Sequence, residues 1–134
     1  MAISLINPDN HIHVPAYHQV AVAVGSRQVH IAGQVSWDQD GNLVAPGDLA
    51  GQVAQVFRNA HNCLQAAGAT LADLVRVTWY LVDWEPAKAE AFLAGLEQAG
   101  REFDMSTPPG TVIGVSALWT PELLVEAEFT AVVD

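Results

Sequence analysis

Two glutamates near the end of the chain are the residues best suited to chemistry. Glu126 and Glu128 lie in residues 123–133, where apolar side chains occupy alternate positions. Side chains alternate between the two faces of a β-strand, so both carboxylates are predicted to share one face. One of them could act as a general acid or base, or hold a catalytic water. The alternative is a solvated strand face, since acidic residues are mostly exposed.

Three further features could complete a site around these acids. Arg76 is predicted to share a face of a central strand with Tyr80, where it could pair with a glutamate or form a structural ion pair across a subunit contact. Gly110 and Gly114 are predicted to share a face of another strand, where glycine opens space. That space could be lined by tryptophans, although a tryptophan is more often a core residue: Trp79, Trp84 and Trp119.

Metal and nucleophile motifs are weak in this chain. His11 and His13 have strand-like spacing, but two ligands without a third make a poor metal site. We find no Ser-His-Asp arrangement, phosphate-binding glycine loop or Cys-His pair. We therefore expect no metal site.

Hydrophobic periodicity predicts the elements that would position the candidate residues. An apolar stripe predicts a first helix that is capped by Asp48 and ended by Gly68. A second helix is predicted to open at Pro86 and to end at Gly100. Residues 2–6 could form a short edge strand. Strands are predicted at residues 17–24, 28–34, 74–82, 111–118 and 123–133.

This order predicts one α/β (α+β) domain over residues 1–134, with the arrangement β-β-α-β-α-β-β. Residues 28–34 are expected to pair with residues 17–24, and residues 111–118 and 123–133 are joined by a short turn. Right-handed crossovers would place both helices on the same sheet face. The other face, with Trp, Tyr, Val and Leu candidates, would be bare and would need a partner such as a second copy of the chain.

Composition narrows the function classes. The chain has 134 residues, of which 51% are hydrophobic and only 15% charged, which favours apolar surface hidden by self-association. A net charge of −10 and the lack of a basic cluster argue against nucleic-acid and anionic-membrane binding. A single cysteine, Cys63, excludes an intrachain disulfide. We expect no signal peptide, no membrane span and a cytoplasmic location.

The chain resembles the Rid family, the reactive intermediate deaminases also called YjgF or RidA-like proteins. The resemblance covers nearly the whole chain and rests on short pieces in the family's order and spacing. These pieces are Tyr17 before a strand, Ala32-Gly33-Gln34, Asn59 in the first helix, Ala66-Ala67-Gly68, the strand at residues 75–81, Pro108-Pro109 and Val125-Glu126-Ala127-Glu128.

The resemblance implies a chorismate-mutase-like fold and a homotrimer whose sheets form a central barrel. It also implies small-molecule clefts between subunits, where many members hydrolyse enamines or imines to 2-keto acids and ammonia without a cofactor. Glu126 matches the acid thought to hold or activate water. The expected pocket residues are Tyr17, Gly33, Trp79, Tyr80, Gly110, Thr111, Val112 and Trp119.

One departure from the family pattern bears on the substrate. Gly110 stands where the archetypal deaminase has an arginine that clamps the substrate carboxylate, and Val112 stands where some members have cysteine. The substrate could lack the carboxylate, or Arg76 or Arg27 of another subunit could replace the clamp.

Two functions remain open at this point. One is imine or enamine hydrolysis, or related proton transfer, on a substrate other than the usual 2-imino acids. The other is a metabolite-binding or regulatory trimer without catalysis. RNA cleavage follows older labels of the family, and the charge of −10 argues against it.

Overall fold

The computed structural model describes residues 2–134, which form six β-strands and two α-helices. The strands are β1 (Ala2–Ile6), β2 (Val20–Val24), β3 (Arg27–Val35), β4 (Leu74–Val82), β5 (Gly110–Val115) and β6 (Val125–Val133). The helices are α1 (Leu49–Ala66) and α2 (Ala89–Glu102). The predicted order of helices and strands is therefore confirmed, with the edge strand at residues 2–6 added to it.

Four strands form a mixed sheet in the order β3-β6-β4-β5. β6 is antiparallel to both of its neighbours, and β4 is parallel to β5. The expected partner of β3 was wrong, since β3 pairs with β6 while β2 pairs with β1 in a separate two-stranded sheet. β5 and β6 do not pair either, because β4 lies between them.

Local capping explains where the helices begin and end. The Asp48 carboxylate accepts a hydrogen bond from the backbone of Gly51 at 3.0 Å, and Gly68 follows α1 with a φ of +74°. A 3-10 turn at Pro86–Lys88 precedes α2. The predicted end of α2 at Gly100 was wrong, since the helix continues to Glu102 and stops where Phe103 becomes extended. Neither helix in residues 2–134 combines the length and apolar character needed to cross a membrane.

The helices cover one face of the four-stranded sheet. Alternate side chains of β4 and β6 point to this covered face and are buried there, including Trp79 and Phe129. The face that the chain leaves uncovered carries polar side chains, among them Arg76, Tyr80 and Glu128. The expectation that a tryptophan lies on the bare face was wrong for Trp79, which shares the buried face of β4 with Val77 and Leu81 and packs beneath the helices.

Candidate active site

Glu126 lies on the uncovered face, and Gly33 makes room for it. The pairing of β3 with β6 shifts register between Ile31 and Gln34, which brings Gly33 against the Glu126 side chain. A Cβ atom at position 33 would overlap the Glu126 carboxylate. Glycine here lets the Glu126 carboxylate keep its position close to β3, since a larger residue would displace that side chain.

The surroundings of Glu126 favour its protonated form. Burial raises the pKa of the Glu126 carboxyl above its ordinary value, and the nearby negative charge of Glu128 raises it further. Glu126 is half-buried, so water still reaches it. A carboxyl with a raised pKa exchanges protons closer to neutral pH, which is the property a general base or acid requires.

Two further side-chain pairs lie on the uncovered face. The Tyr80 hydroxyl donates a hydrogen bond to Glu128 Oε1 at 2.7 Å. This hydrogen bond is the main cause of a raised pKa of the Tyr80 hydroxyl, and partial burial and the charges of Glu128 and Glu126 add to it. Arg76 donates to the Thr111 hydroxyl, and within residues 2–134 it forms no ion pair with either glutamate.

A second group of predicted site residues lies on the covered face. Tyr17, Trp79, Gly110 and Val112 line a cavity of about 1020 Å³ between α2, the edge strand β5 and residues 103–108. The Gly110 position is tight on its inner side, since a Cβ there would lie 3.1 Å from Val77 Cγ1. A side chain at position 110 would therefore lie against Val77 at the wall of the cavity.

The sheet separates these two groups within one chain. Gly33, Tyr80, Thr111 and Glu126 lie on the uncovered face, while the four cavity residues lie on the covered face. Trp119 joins neither group: it is 84% exposed in the loop between β5 and β6. No single chain can therefore direct Glu126 and the cavity residues at the same small molecule.

Two amides on α1, one of which the sequence reasoning missed, hold β3 and β6 in place. Asn59 Nδ2 donates to the carbonyl oxygens of Val35 at 2.8 Å and Trp37 at 2.9 Å, which fixes the end of β3 that contains Gly33. Gln52 is fully buried, and it accepts from the Leu124 backbone at 2.9 Å at the entry to β6. A polar residue beside the apolar stripe of α1 was the signal that could have identified Gln52.

His18 holds Tyr17 at the mouth of the cavity. The His18 backbone N–H donates to Thr107 O at 3.0 Å, and the ring Nδ1 lies 2.9 Å from the Thr107 hydroxyl. These contacts join the segment before β2 to the segment before β5, so the two segments that line the cavity mouth are fixed to each other.

Histidine and acidic side chains do not gather into a metal site. Across residues 2–134 no cluster of three or more His, Cys, Asp or Glu side chains is arranged to hold an ion. His13, for example, contacts Asn7 at 3.2 Å instead.

Comparison with known proteins identifies a family that shares this sequence. The family described as Endoribonuclease L-PSP matches residues 10–133. A RutC family protein of Pyrococcus abyssi is 32% identical over 111 residues, which covers 83% of this chain and 82% of that protein.

Two further relatives are a solved structure and a named enzyme. The crystal structure of YyfB from Yersinia pestis, a member of the conserved Rid protein family, has a TM-score of 0.89 and 37% identity, and the match covers 99% of this chain and all of that one. The rat protein named 2-iminobutanoate/2-iminopropanoate deaminase is 29% identical over 70 residues, covering 52% of this chain and 50% of that protein.

Proposed function

The chain belongs to the Rid family, the family also described as Endoribonuclease L-PSP, and from that premise we propose that it hydrolyses imines or enamines in clefts between its own copies. The half-buried Glu126, with its raised pKa and the clearance at Gly33, is the observation that carries the proposal. The deaminase name of the rat relative supports the same reaction class.

In the proposed hydrolysis, Glu126 accepts a proton from the attacking water. Water adds to the C=N carbon while the Glu126 carboxylate takes a proton from it, and the nitrogen gains a proton to give a carbinolamine. The C–N bond then breaks, the carbonyl forms as the hydroxyl proton is lost, and ammonia leaves. The Tyr80–Glu128 hydrogen bond lies on the same face and would help to position the water.

A site with both groups of residues needs two copies of the chain. We propose a homotrimer in which Glu126, Gly33, Tyr80 and Thr111 of one copy face the cavity of the next. Rid proteins are generally oligomeric, which supports this assembly. A head-to-tail contact between one face and a different face forms a ring when the rotation that relates successive copies closes, as the proposed trimer requires. The polar uncovered face would then be enclosed within the ring.

The proposed trimer also defines the alternative function. The same cleft could hold a metabolite without converting it, since Gly110 leaves no arginine for a substrate carboxylate. RNA cleavage has less support, because the chain has five basic residues against 15 acidic ones and phosphate contacts require positive charge.

Ammonia release from freshly generated imines tests the proposal. We expect acceleration by the wild-type protein and a loss of about 100-fold or more for Glu126→Gln, in line with the usual contribution of a general acid or base. The control variant Glu122→Gln makes the same change at an exposed residue three positions before β6 begins. Light scattering should give the same mass for all three proteins. Full activity of Glu126→Gln would remove this residue from the mechanism.

A further inference from the structure

The cavity on the covered face is large and its floor is aromatic. Its volume of about 1020 Å³ lies at the upper end of the range of about 300–1,000 Å³ that is usual for small-molecule pockets. Trp79 forms the centre of the floor, with its ring centroid 5.4 Å from Phe57 and 5.2 Å from Phe92. Such a surface favours a flat or branched apolar group.

Charges at the rim oppose an anionic ligand. Glu97, Glu102 and Asp104 line the cavity, and within the described residues 2–134 Arg101 is the one cation among its lining. Glu102 is held by Arg58, with Nη2 and Oε2 3.0 Å apart, so Arg58 is engaged outside the cavity. A carboxylate would thus enter a rim with more negative than positive groups, whereas a neutral or cationic molecule would not be repelled.

The strand that borders the cavity offers no replacement for a carboxylate clamp. Gly110 and Val112 face the cavity, and neither can bind an anion through its side chain. Arg76 is directed to the opposite face, where it donates to Thr111. Within one chain, an anionic group deep in the cavity would therefore be buried without a partner, which is strongly unfavourable. In the proposed ring, Arg76 of the neighbouring copy is the cation on the face that meets the cavity, and it already donates to Thr111.

We infer that the substrate is an imine or iminium ion without a carboxylate, whose aromatic or branched apolar group occupies this cavity. This inference rests on the proposed function, since the C=N group would reach Glu126 of a neighbouring copy. Hydrolysis of such a substrate consumes one water and releases ammonia and an aldehyde or ketone instead of a 2-keto acid.

Two fluorescent probes with the same rings test the cavity without requiring turnover. N-phenylnaphthylamine is neutral, and anilinonaphthalene sulfonate adds one negative group to it. We expect the neutral probe to bind at one molecule per chain and at least about ten-fold more tightly than the sulfonate, a difference of about 1.4 kcal/mol. Tighter or equal binding of the sulfonate would overturn the inference, as would the absence of binding.

Neighbouring residues of β5 provide matched variants. Val112 and Ile113 are both 42% exposed, but they lie on opposite faces of the sheet. Val112→Trp should fill the cavity mouth and weaken the neutral probe by about ten-fold or more, while Ile113→Trp, which changes the opposite face, should weaken it less than Val112→Trp does. Leu93→Trp fills the same cavity from α2 and replaces Val112→Trp if that variant does not fold. Equal effects of the cavity and control variants would contradict the inference.

A catalytic comparison separates this inference from the proposed function. The imine formed from phenethylamine by an amine oxidase should be hydrolysed at least about ten-fold more efficiently than 2-iminopropionate, which is the same 1.4 kcal/mol expressed as a rate. Acceleration of 2-iminopropionate alone, without probe binding, would overturn the inference and leave the proposed function in place. Probe binding by a protein inert toward every imine would overturn the proposed function and retain the cavity as a site for neutral apolar molecules.

Discussion

The two faces of the central sheet have opposite characters, although they are built from the same strands. On β4, Trp79 points into the apolar cavity and the next residue, Tyr80, points to the face with the glutamates. The covered face provides shape and apolar surface, and the uncovered face provides groups that exchange protons. Neither face alone has the parts of an enzyme that acts on a small molecule.

The separation of the two faces also shows what the glycine at position 110, in place of the arginine of the archetypal deaminase, can change. A residue at this position lies on the side of the cavity, whereas Glu126 lies on the other side of the sheet. A change at Gly110 therefore alters what the cavity binds without touching the group that moves protons. Substrate preference and proton transfer can vary independently in such an arrangement.

Mixing two inactive variants is the strongest way to test whether the faces meet between copies. Glu126→Gln damages the uncovered face and Val112→Trp fills the cavity, so each variant alone should have almost no activity. In a ring in which each site joins one face from each of two copies, refolding the variants together in equal amounts should restore about a quarter of the wild-type rate. Ammonia release measures the recovery.

The control for this experiment is a mixture made without exchange of subunits. Folded variants combined without unfolding should remain inactive if the trimers do not exchange. No recovery after joint refolding, with trimers confirmed by light scattering, would mean that both groups act within one chain or that one of them does not act.

Gly33 offers a smaller change confined to the uncovered face. Gly33→Ala places a Cβ where the Glu126 carboxylate lies, and the flexible Glu126 side chain can rotate away without disturbing the backbone. We expect kcat to fall by about 10- to 100-fold, because misplacement by about 1 Å has effects of this size, while probe binding in the cavity is retained. Steady-state kinetics measures kcat, which depends on Glu126 on the uncovered face. Titration with the neutral probe measures binding in the cavity on the covered face. Unchanged kcat would show that the position of Glu126 is not critical.

The smallest expected effect is on stability. Because the pKa of Glu126 is higher in the folded chain than its ordinary value, the folded chain binds the proton more readily, and ionisation of Glu126 lowers stability as pH rises. Glu126→Gln removes that ionisation, so its Tm should exceed the wild-type Tm near neutral pH by up to about 4 °C. The difference should disappear below pH 4.5, the ordinary pKa of the group.

Thermal unfolding over a range of pH measures this effect. Glu122→Gln, at an exposed position, should follow the wild-type curve throughout. A lower Tm for Glu126→Gln at neutral pH would show that the ionised carboxylate has a stabilising partner in the assembled protein.

Local sequence patterns predicted the positions of the helices and strands well, but they predicted poorly which strands pair with each other. The bounds of β4 follow from a run of apolar and β-branched residues, and Asp48 marks the start of α1 through its side chain. Partners are set by contacts between distant segments. Adjacent strands such as β2 and β3 favour pairing by proximity, yet β3 pairs with β6, about a hundred residues away along the chain.

The sequence predicted individual residues of the candidate site, but it did not predict that the sheet separates them into two groups on opposite faces. The period of two placed Glu126 and Glu128 on one face, and the same rule separates Thr111 from Gly110 and Val112. Which face each strand turns toward the helices depends on the assembled sheet. The role of Gly33 could not be derived at all, since it depends on a register shift between two strands.

The central position of β6 has a consequence for synthesis of the protein. β3 and β4 are separated in the sheet by β6, so before β6 is translated only β4 and β5 can pair and β3 has no neighbour in this sheet. Until then, the apolar faces of β3, β4 and β5 can be shielded only by helices α1 and α2. A nascent chain stalled within residues 125–133 is therefore the species most prone to aggregate or to require a chaperone.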